Sequence, residues 1–119
     1  DAAGVARAMN DADILLTFSL TNISNVPFEG MACGGAVVDL DLPNVSAMVE
    51  PETCVLAPFE PQALADAMRR LVEDPEPRAR LGARGAEAVR PRTWERTASL
   101  FEDALRRTAF VGAAHPEAP

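Results

Sequence analysis

Apolar residues along this chain change their period several times, and each change marks an element. Ile14-Leu15-Leu16-Thr17-Phe18 is an apolar run of strand length, and Ala36-Val37-Val38-Asp39-Leu40 is a second. Hydrophobicity that is continuous rather than alternating fits strands buried on both faces, as in parallel sheets. Thr53-Cys54-Val55-Leu56-Ala57 makes a third strand. Around these runs the period becomes helical. Residues 4 to 11 read as the end of a helix. Ser24 is suited to cap a helix with Pro27 in its first turn, running to about Cys33, where Gly34-Gly35 stops it. A one-turn helix is expected near Val45 to Val49. Glu60-Pro61 opens a helix with proline at its first position, and Leu64, Met68, Leu71 and Val72 fall on one of its faces. Asp74-Pro75 repeats that entry signal for a helix reaching about Arg90. Thr93 caps a last helix, Trp94 to about Arg107, whose apolar members are Trp94, Leu100, Phe101 and Leu105.

This alternation predicts an α/β fold: a Rossmann-like, doubly wound parallel sheet with flanking helices. The 119 residues suffice for one domain and not two. Three strands make a small sheet for the class, and the chain opens at Asp1 without Met, by its pattern inside an element. The expectation is therefore a domain over residues 1–109, truncated on its N-terminal side, followed by a mobile tail at 110–119.

Composition narrows the partners. Hydrophobic residues make up 48% of the chain, aromatics only 5%, and Tyr is absent, so the core must be built from Ala, Val, Leu and Met. The net charge of −7 leaves no basic face to displace counterions, which argues against nucleic acid as a partner. All eleven basic residues are Arg. Cys33 and Cys54 have no metal-ligand or redox spacing, and no disulfide is implied. No apolar run approaches the ~20 residues of a membrane span, and no signal peptide is visible, so a cytoplasmic location is expected.

In open parallel sheets ligands bind beyond the carboxyl ends of the strands. The loop Ser19 to Asn25 follows the first strand and enters a helix N-terminus, where unpaired amides and the dipole suit a diphosphate. Asn22, Ser24 and Asn25 could add donors there, although a polar loop before a helix is usually only a cap. Glu29, about a turn further on, could accept both hydroxyls of a ribose, or be a solvated carboxylate near a helix start. Asp39-Leu40-Asp41 has the form of a metal-binding D-x-D but ends a strand, which disfavours a metal role. His115 has no partner at a useful spacing. Cys33 and Trp94 read as packing residues, and Arg69, Arg70, Arg78, Arg80 and Arg84 as a solvated, salt-bridged helical face.

The neighbours of Glu29 carry more information. Ala12-Asp13-Ile14-Leu15-Leu16, then Pro27-Phe28-Glu29-Gly30-Met31-Ala32-Cys33-Gly34-Gly35-Ala36-Val37-Val38, resembles the C-terminal domain of group-1 (family-4-type) retaining glycosyltransferases of the GT-B fold. Their pattern joins E-x7-E to A-M-A-C-G-x-P-V-V. Phe59-Glu60-Pro61-Gln62-Ala63-Leu64-Ala65 is similar to the family's D-P-E-A-L-A. The segment from Leu71 to Gly82 is similar to L-L-x-D-P-x-L-R-x-x-L-G, and Thr93-Trp94-Glu95-Arg96 to S-W-E-R. Ordered blocks over roughly residues 5 to 107 are more specific than any single motif.

The resemblance implies a role for each matched position. Glu29 matches the second Glu of E-x7-E, which contacts the donor's ribose. Thr21 stands where the first Glu would contact the donor sugar, a departure from the pattern that bears on sugar choice. Thr21, Asn22, Ile23, Ser24 and Asn25 replace the segment whose amides face diphosphate and sugar. Leu42-Pro43-Asn44-Val45-Ser46 replaces the family's G-G-x-x-E, a second departure. The implied activity is transfer of a sugar from a nucleoside diphosphate sugar to a glycan or lipid-linked acceptor. This chain would be the donor-binding part, and the acceptor would bind a missing N-terminal domain. The spacing Ser24, Pro27, Glu29 is also similar to enzymes transferring rhamnose in bacterial surface polysaccharides. No catalytic residue, metal or cofactor beyond the donor is implied. The isolated chain is expected to be inactive, since the family's cationic diphosphate contacts lie upstream. Peripheral membrane association of the full-length enzyme is one expectation. The alternative is a non-catalytic nucleotide-sugar-binding module, motivated by Thr21.

Overall fold

A computed structural model of the chain describes residues 1–21 and 24–112, with side chains described through Thr108. Nine elements follow in order: α1 (Ala2–Asp11), β1 (Ile14–Leu16), α2 (Val26–Ala32), β2 (Ala36–Leu40), α3 (Pro43–Ser46), β3 (Val55–Ala57), α4 (Pro61–Glu73), α5 (Pro75–Val89) and α6 (Trp94–Gly112). The strands form one parallel sheet in the order β1-β2-β3. Leu15 pairs with Val37 across the first junction and Asp39 with Leu56 across the second. The fold is the α/β sheet with flanking helices that the alternation predicts.

All five residues of β2 are buried, and its pleat divides them between two cores. Ala36, Val38 and Leu40 face α4, meeting Leu64, Ala67 and Leu71. Val37 faces the opposite way, onto Met31 of α2 and Val89 of α5. Burial of each Val or Leu side chain contributes roughly 1.5–3 kcal/mol, so this strand and its two covers dominate stability. The corner between α2 and β2 is set by Gly34, whose φ of 80° closes the helix; its N–H donates to Met31 O (2.9 Å). Gly82 of α5 lies directly against the Gly34 carbonyl, and a Cβ there would overlap it. Absence of a side chain at residue 82 is what lets α5 approach the sheet.

The local entry signals are satisfied. Asp74 caps α5 by accepting Glu76 N–H (3.1 Å), and Thr93 Oγ1 accepts Arg96 N–H (3.2 Å) at the start of α6. Arg78 donates to the last carbonyls of α4, Leu71 O (2.9 Å) and Val72 O (3.4 Å), tying the two helices at their corner. Arg69 pairs with Asp66 (2.7 Å), Arg80 with Glu76 (3.6 Å), and Arg84 with Glu52, all at the surface.

Several expectations need correction. β1 stops at Leu16 and β3 begins only at Val55, because each strand is paired only over the three residues its neighbour reaches. The short helix spans Pro43–Ser46, two residues earlier than expected, since Pro43 supplies a preset φ for the first turn. α1 begins at Ala2, where the Asp1 carboxylate accepts Gly4 N–H (2.7 Å). Val72 is exposed; the buried stripe of α4 is completed by Ala67, small enough for close contact with the sheet. α6 continues to Gly112, past the expected end near Arg107. Every side chain described in α6, Trp94 through Thr108, is exposed, and the chain's long axis reaches 71 Å against 30 and 26 Å across. The expected tail falls partly on α6, and residues 113–119 lie outside the described ones.

Candidate functional site: the loop after the first strand and the groove beside it

The first segment of the site is built where β1 leaves the sheet. Thr17 N–H and its hydroxyl both donate to Val38 O (2.9 and 3.3 Å), carrying the chain one residue past the ladder. Phe18 turns outward and Ser19 turns in. Ser19 N–H donates to Asp39 Oδ1 (3.0 Å) and its hydroxyl to Asp39 Oδ2 (2.8 Å), while Leu40 N–H donates to the same Oδ1 (2.7 Å). Asn44 Nδ2 completes the arrangement by donating to Ser19 O (3.1 Å). Asp39 has no solvent exposure. A buried carboxylate without partners costs several kcal/mol, and here three donors offset that cost. Of the D-x-D pair, then, Asp39 binds the loop, while Asp41 is exposed beyond the strand end.

Cys54, close to Asp39, has its thiol pushed up to about 12, chiefly by burial and secondarily by the Asp39 charge. It is a neutral packing thiol. Cys33 closes α2, and both cysteines are free.

Thr21 is exposed at the head of the loop, and Asn22 and Ile23 lie outside the described residues. Ser24 is not the cap residue of α2; Asn25 occupies that position, without a side-chain capping bond. Asn25 has helical backbone angles (φ −75°, ψ −11°) instead of the extended ones from which a cap side chain reaches back, and Pro27 removes one of the N–H groups it could take. Ser24 Oγ accepts Val26 N–H instead (3.3 Å).

Glu29 lies on the outer face of α2 with Asn25, Phe28 and Ala32, and this face forms one wall of an open groove of about 700 Å³. The opposite wall comes from the α5–α6 corner: Val89, Arg92, Trp94, Arg96 and Leu100. Arg92 joins the walls. Its guanidinium stands 4.3 Å over the Phe28 ring, and its Nη2 donates to Met48 O (2.8 Å). Trp94 is 80% exposed, so it does not anchor packing as expected; it presents its ring along the groove. The Glu29 carboxylate has no ion-pair or hydrogen-bond partner among the described residues. The structure therefore brings Glu29 and Asn25 to one cavity and leaves Thr21 and Ser24 outside its lining. Sequence reading missed Arg92, Trp94 and Arg96. The available signal was two arginines four residues apart around a helix start, opposite a lone acidic helix residue in space but sixty residues away in sequence.

Glu95 has its carboxyl held below the ordinary range by its own backbone N–H and by the Thr93 hydroxyl, which fixes the first turn of α6. No described helix is long and apolar enough to cross a membrane. Among the described residues no group of three His, Cys, Asp or Glu converges as a metal site.

The comparisons with known proteins bear on the family and the fold. A family model described as glycosyl transferase-like matches residues 1–103. The O-antigen biosynthesis protein RfbC of Myxococcus xanthus is 36% identical over 110 residues, 91% of this chain and 8% of that protein. Sucrose-phosphate synthase from Thermosynechococcus elongatus superposes with a TM-score of 0.77 at 29% identity, over 94% of this chain and 29% of that one. The chain thus spans less than a tenth of its curated relative and under a third of its structural one.

Proposed function

The chain belongs to the glycosyl transferase-like family, and from that premise we propose that it is the donor-binding part of a glycosyltransferase. In this reading a nucleoside diphosphate sugar binds beyond the carboxyl ends of β1 and β2 and along the groove beside α2. The sugar passes to a hydroxyl of a glycan or lipid-linked acceptor held by another part of the enzyme, and the nucleoside diphosphate leaves. One observation carries this: Glu29, at the family's ribose-contacting position, stands exposed on the groove wall with no protein partner among the described residues.

Glu29 accepts the two ribose hydroxyls and so orients the donor. Arg96, across the groove, provides positive charge where the diphosphate gains negative charge as the sugar departs. Thr21, Ser24 and Asn25 lie on the path between sheet and helix, toward the sugar. No residue of this chain is assigned as an acid or base. The relative's part in O-antigen biosynthesis supports a bacterial surface polysaccharide as the acceptor class, and the spacing of Ser24, Pro27 and Glu29 is the ground for proposing rhamnose or a similar sugar as the group transferred.

Titration with UDP, GDP and dTDP and their sugar conjugates tests the donor role. Glu29→Ala is expected to weaken the best nucleotide by roughly tenfold to a hundredfold, the loss of charge-assisted hydrogen bonds worth about 1.5–3 kcal/mol. Unchanged affinity would remove Glu29 from the site. A second reading, a binding module without transfer activity, is favoured by Thr21 in place of a carboxylate. Nucleotide binding with neither hydrolysis nor transfer by the protein at its natural length selects that reading. The 119 residues alone are expected to turn over no donor.

A further inference from the structure

The cluster of Ser19, Asp39 and Asn44 is absorbed neither by the sheet ladder nor by the groove. We infer that Asp39 and Asn44 are positioning residues that fix Ser19, and through it Thr21, at the place where the donor sugar binds; this rests on the donor-binding reading above. Three observations support the assignment. Ser19 is bonded at its N–H, hydroxyl and carbonyl, all to groups on β2 or α3, although it lies outside any regular element. Asp39 is a charged residue inside an otherwise apolar strand, and its partners are Ser19 and the adjoining Leu40 amide. The fold itself does not call for a carboxylate there, since Val37 on the same face is simply apolar. What the carboxylate adds is a fixed exit for the chain between β1 and α2. Only Leu20 separates the fixed residue from Thr21, so the position of the Thr21 backbone follows from the clamp.

The bonding also specifies how substitutions should differ. Oδ1 accepts two N–H groups, while Oδ2 accepts only the Ser19 hydroxyl. In Asp39→Asn the amide oxygen can keep both N–H donors, and its NH2 can donate to the Ser19 oxygen once that hydroxyl rotates. Geometry survives while the charge is lost. Ser19→Ala and Asn44→Ala instead each remove one tether without leaving a buried charge unpaired by N–H groups, and both are expected to fold.

The test uses the protein at its natural length, with UDP, GDP and dTDP each compared with its glucose, mannose or rhamnose conjugate. Ser19→Ala and Asn44→Ala, singly and together, are expected to weaken the sugar conjugate about fivefold to tenfold. Affinity for the free diphosphate, governed by Glu29, should stay within about twofold. Asp39→Asn, which keeps the tethers, should keep the wild-type ratio. Amide hydrogen exchange at Leu20 and Thr21 should quicken in the two alanine variants, while exchange in β3 and α4 stays unchanged. Equal loss for both ligand forms, or no loss for either, overturns the positioning role while leaving the donor site standing. A wild-type protein that binds none of the probes overturns the donor reading and the positioning role together. Wild-type exchange at Thr21 in the double variant overturns the clamp by itself, whatever the ligands do.

Discussion

Helices α4 and α6 have similar sequence grammar and opposite fates. Each is preceded by an entry signal, each carries a lengthwise apolar stripe, and each is longer than three turns. The stripe of α4, Leu64, Ala67 and Leu71, is buried on Ala36, Val38 and Leu40. The stripe of α6, Trp94, Leu100, Phe101 and Leu105, is exposed along its described length. Apolar periodicity therefore specifies that a helix forms and which face is sticky, but not whether this chain contains the surface that covers it. The stability of α4 comes from tertiary burial; that of α6 must come from its capping and its backbone.

Leu71→Ala should have the largest effect, about 2–5 kcal/mol in urea unfolding, because a buried methyl cluster is removed from the main core. An effect below about 1 kcal/mol would place α4 on the same footing as α6. Alkaline titration should separate the two regions next. The Cys54 thiol is raised from 9.0 to about 12 in the folded chain, so its contribution is intact below pH 9 and is lost as pH climbs through 12. Unfolding of the body in that window should be relieved in Cys54→Ala, and α6 should show no counterpart. Gly82→Ala should cost about 1–3 kcal/mol by driving a methyl into the Gly34 carbonyl. Thr93→Ala removes the cap of α6 and should reduce its helicity by circular dichroism, an effect of about 1 kcal/mol. Because the Glu95 carboxyl is held below 4.5, that end of α6 should fray as pH falls through the acidic range and be intact above it. Smallest of all, Leu105→Ala should change unfolding by no more than about 0.5 kcal/mol.

The same contrast explains what could be read in advance. The places of the three strands and the α4 and α5 entry signals are legible because each depends on neighbours within a few residues: Asp74 and Glu76, Glu60 and Pro61, Gly34 after Cys33. Helical spacing puts Val72 on the apolar face of α4, but spacing alone cannot tell a branched residue pointing to solvent from an Ala67 pressed on the sheet. Trp94 at a helix start reads as a packing anchor, yet it is exposed, because no described element covers that side of α6. Asp39 was legible only as half of a D-x-D motif. Its partner Ser19 precedes it by twenty residues and meets it through strand pairing. Glu29 was singled out by its motif, whereas Arg92 and Arg96 reach the same groove through a corner that only the packing of α5 on α2 defines.

The complete burial of β2 also has a consequence for how the chain comes into being. The strand ends at Leu40, but α4, which covers one face, ends at Glu73, and α5, which helps cover the other, ends at Val89. During synthesis the strand that is most completely buried in the folded chain thus waits for about fifty further residues before both of its sides are closed. At roughly 5–20 residues per second that interval is several seconds, far longer than collapse of a short chain. Through that window Val37, Val38 and Leu40 stay uncovered on the ribosome-bound chain, an adhesive surface that a chaperone would have to shield from self-association.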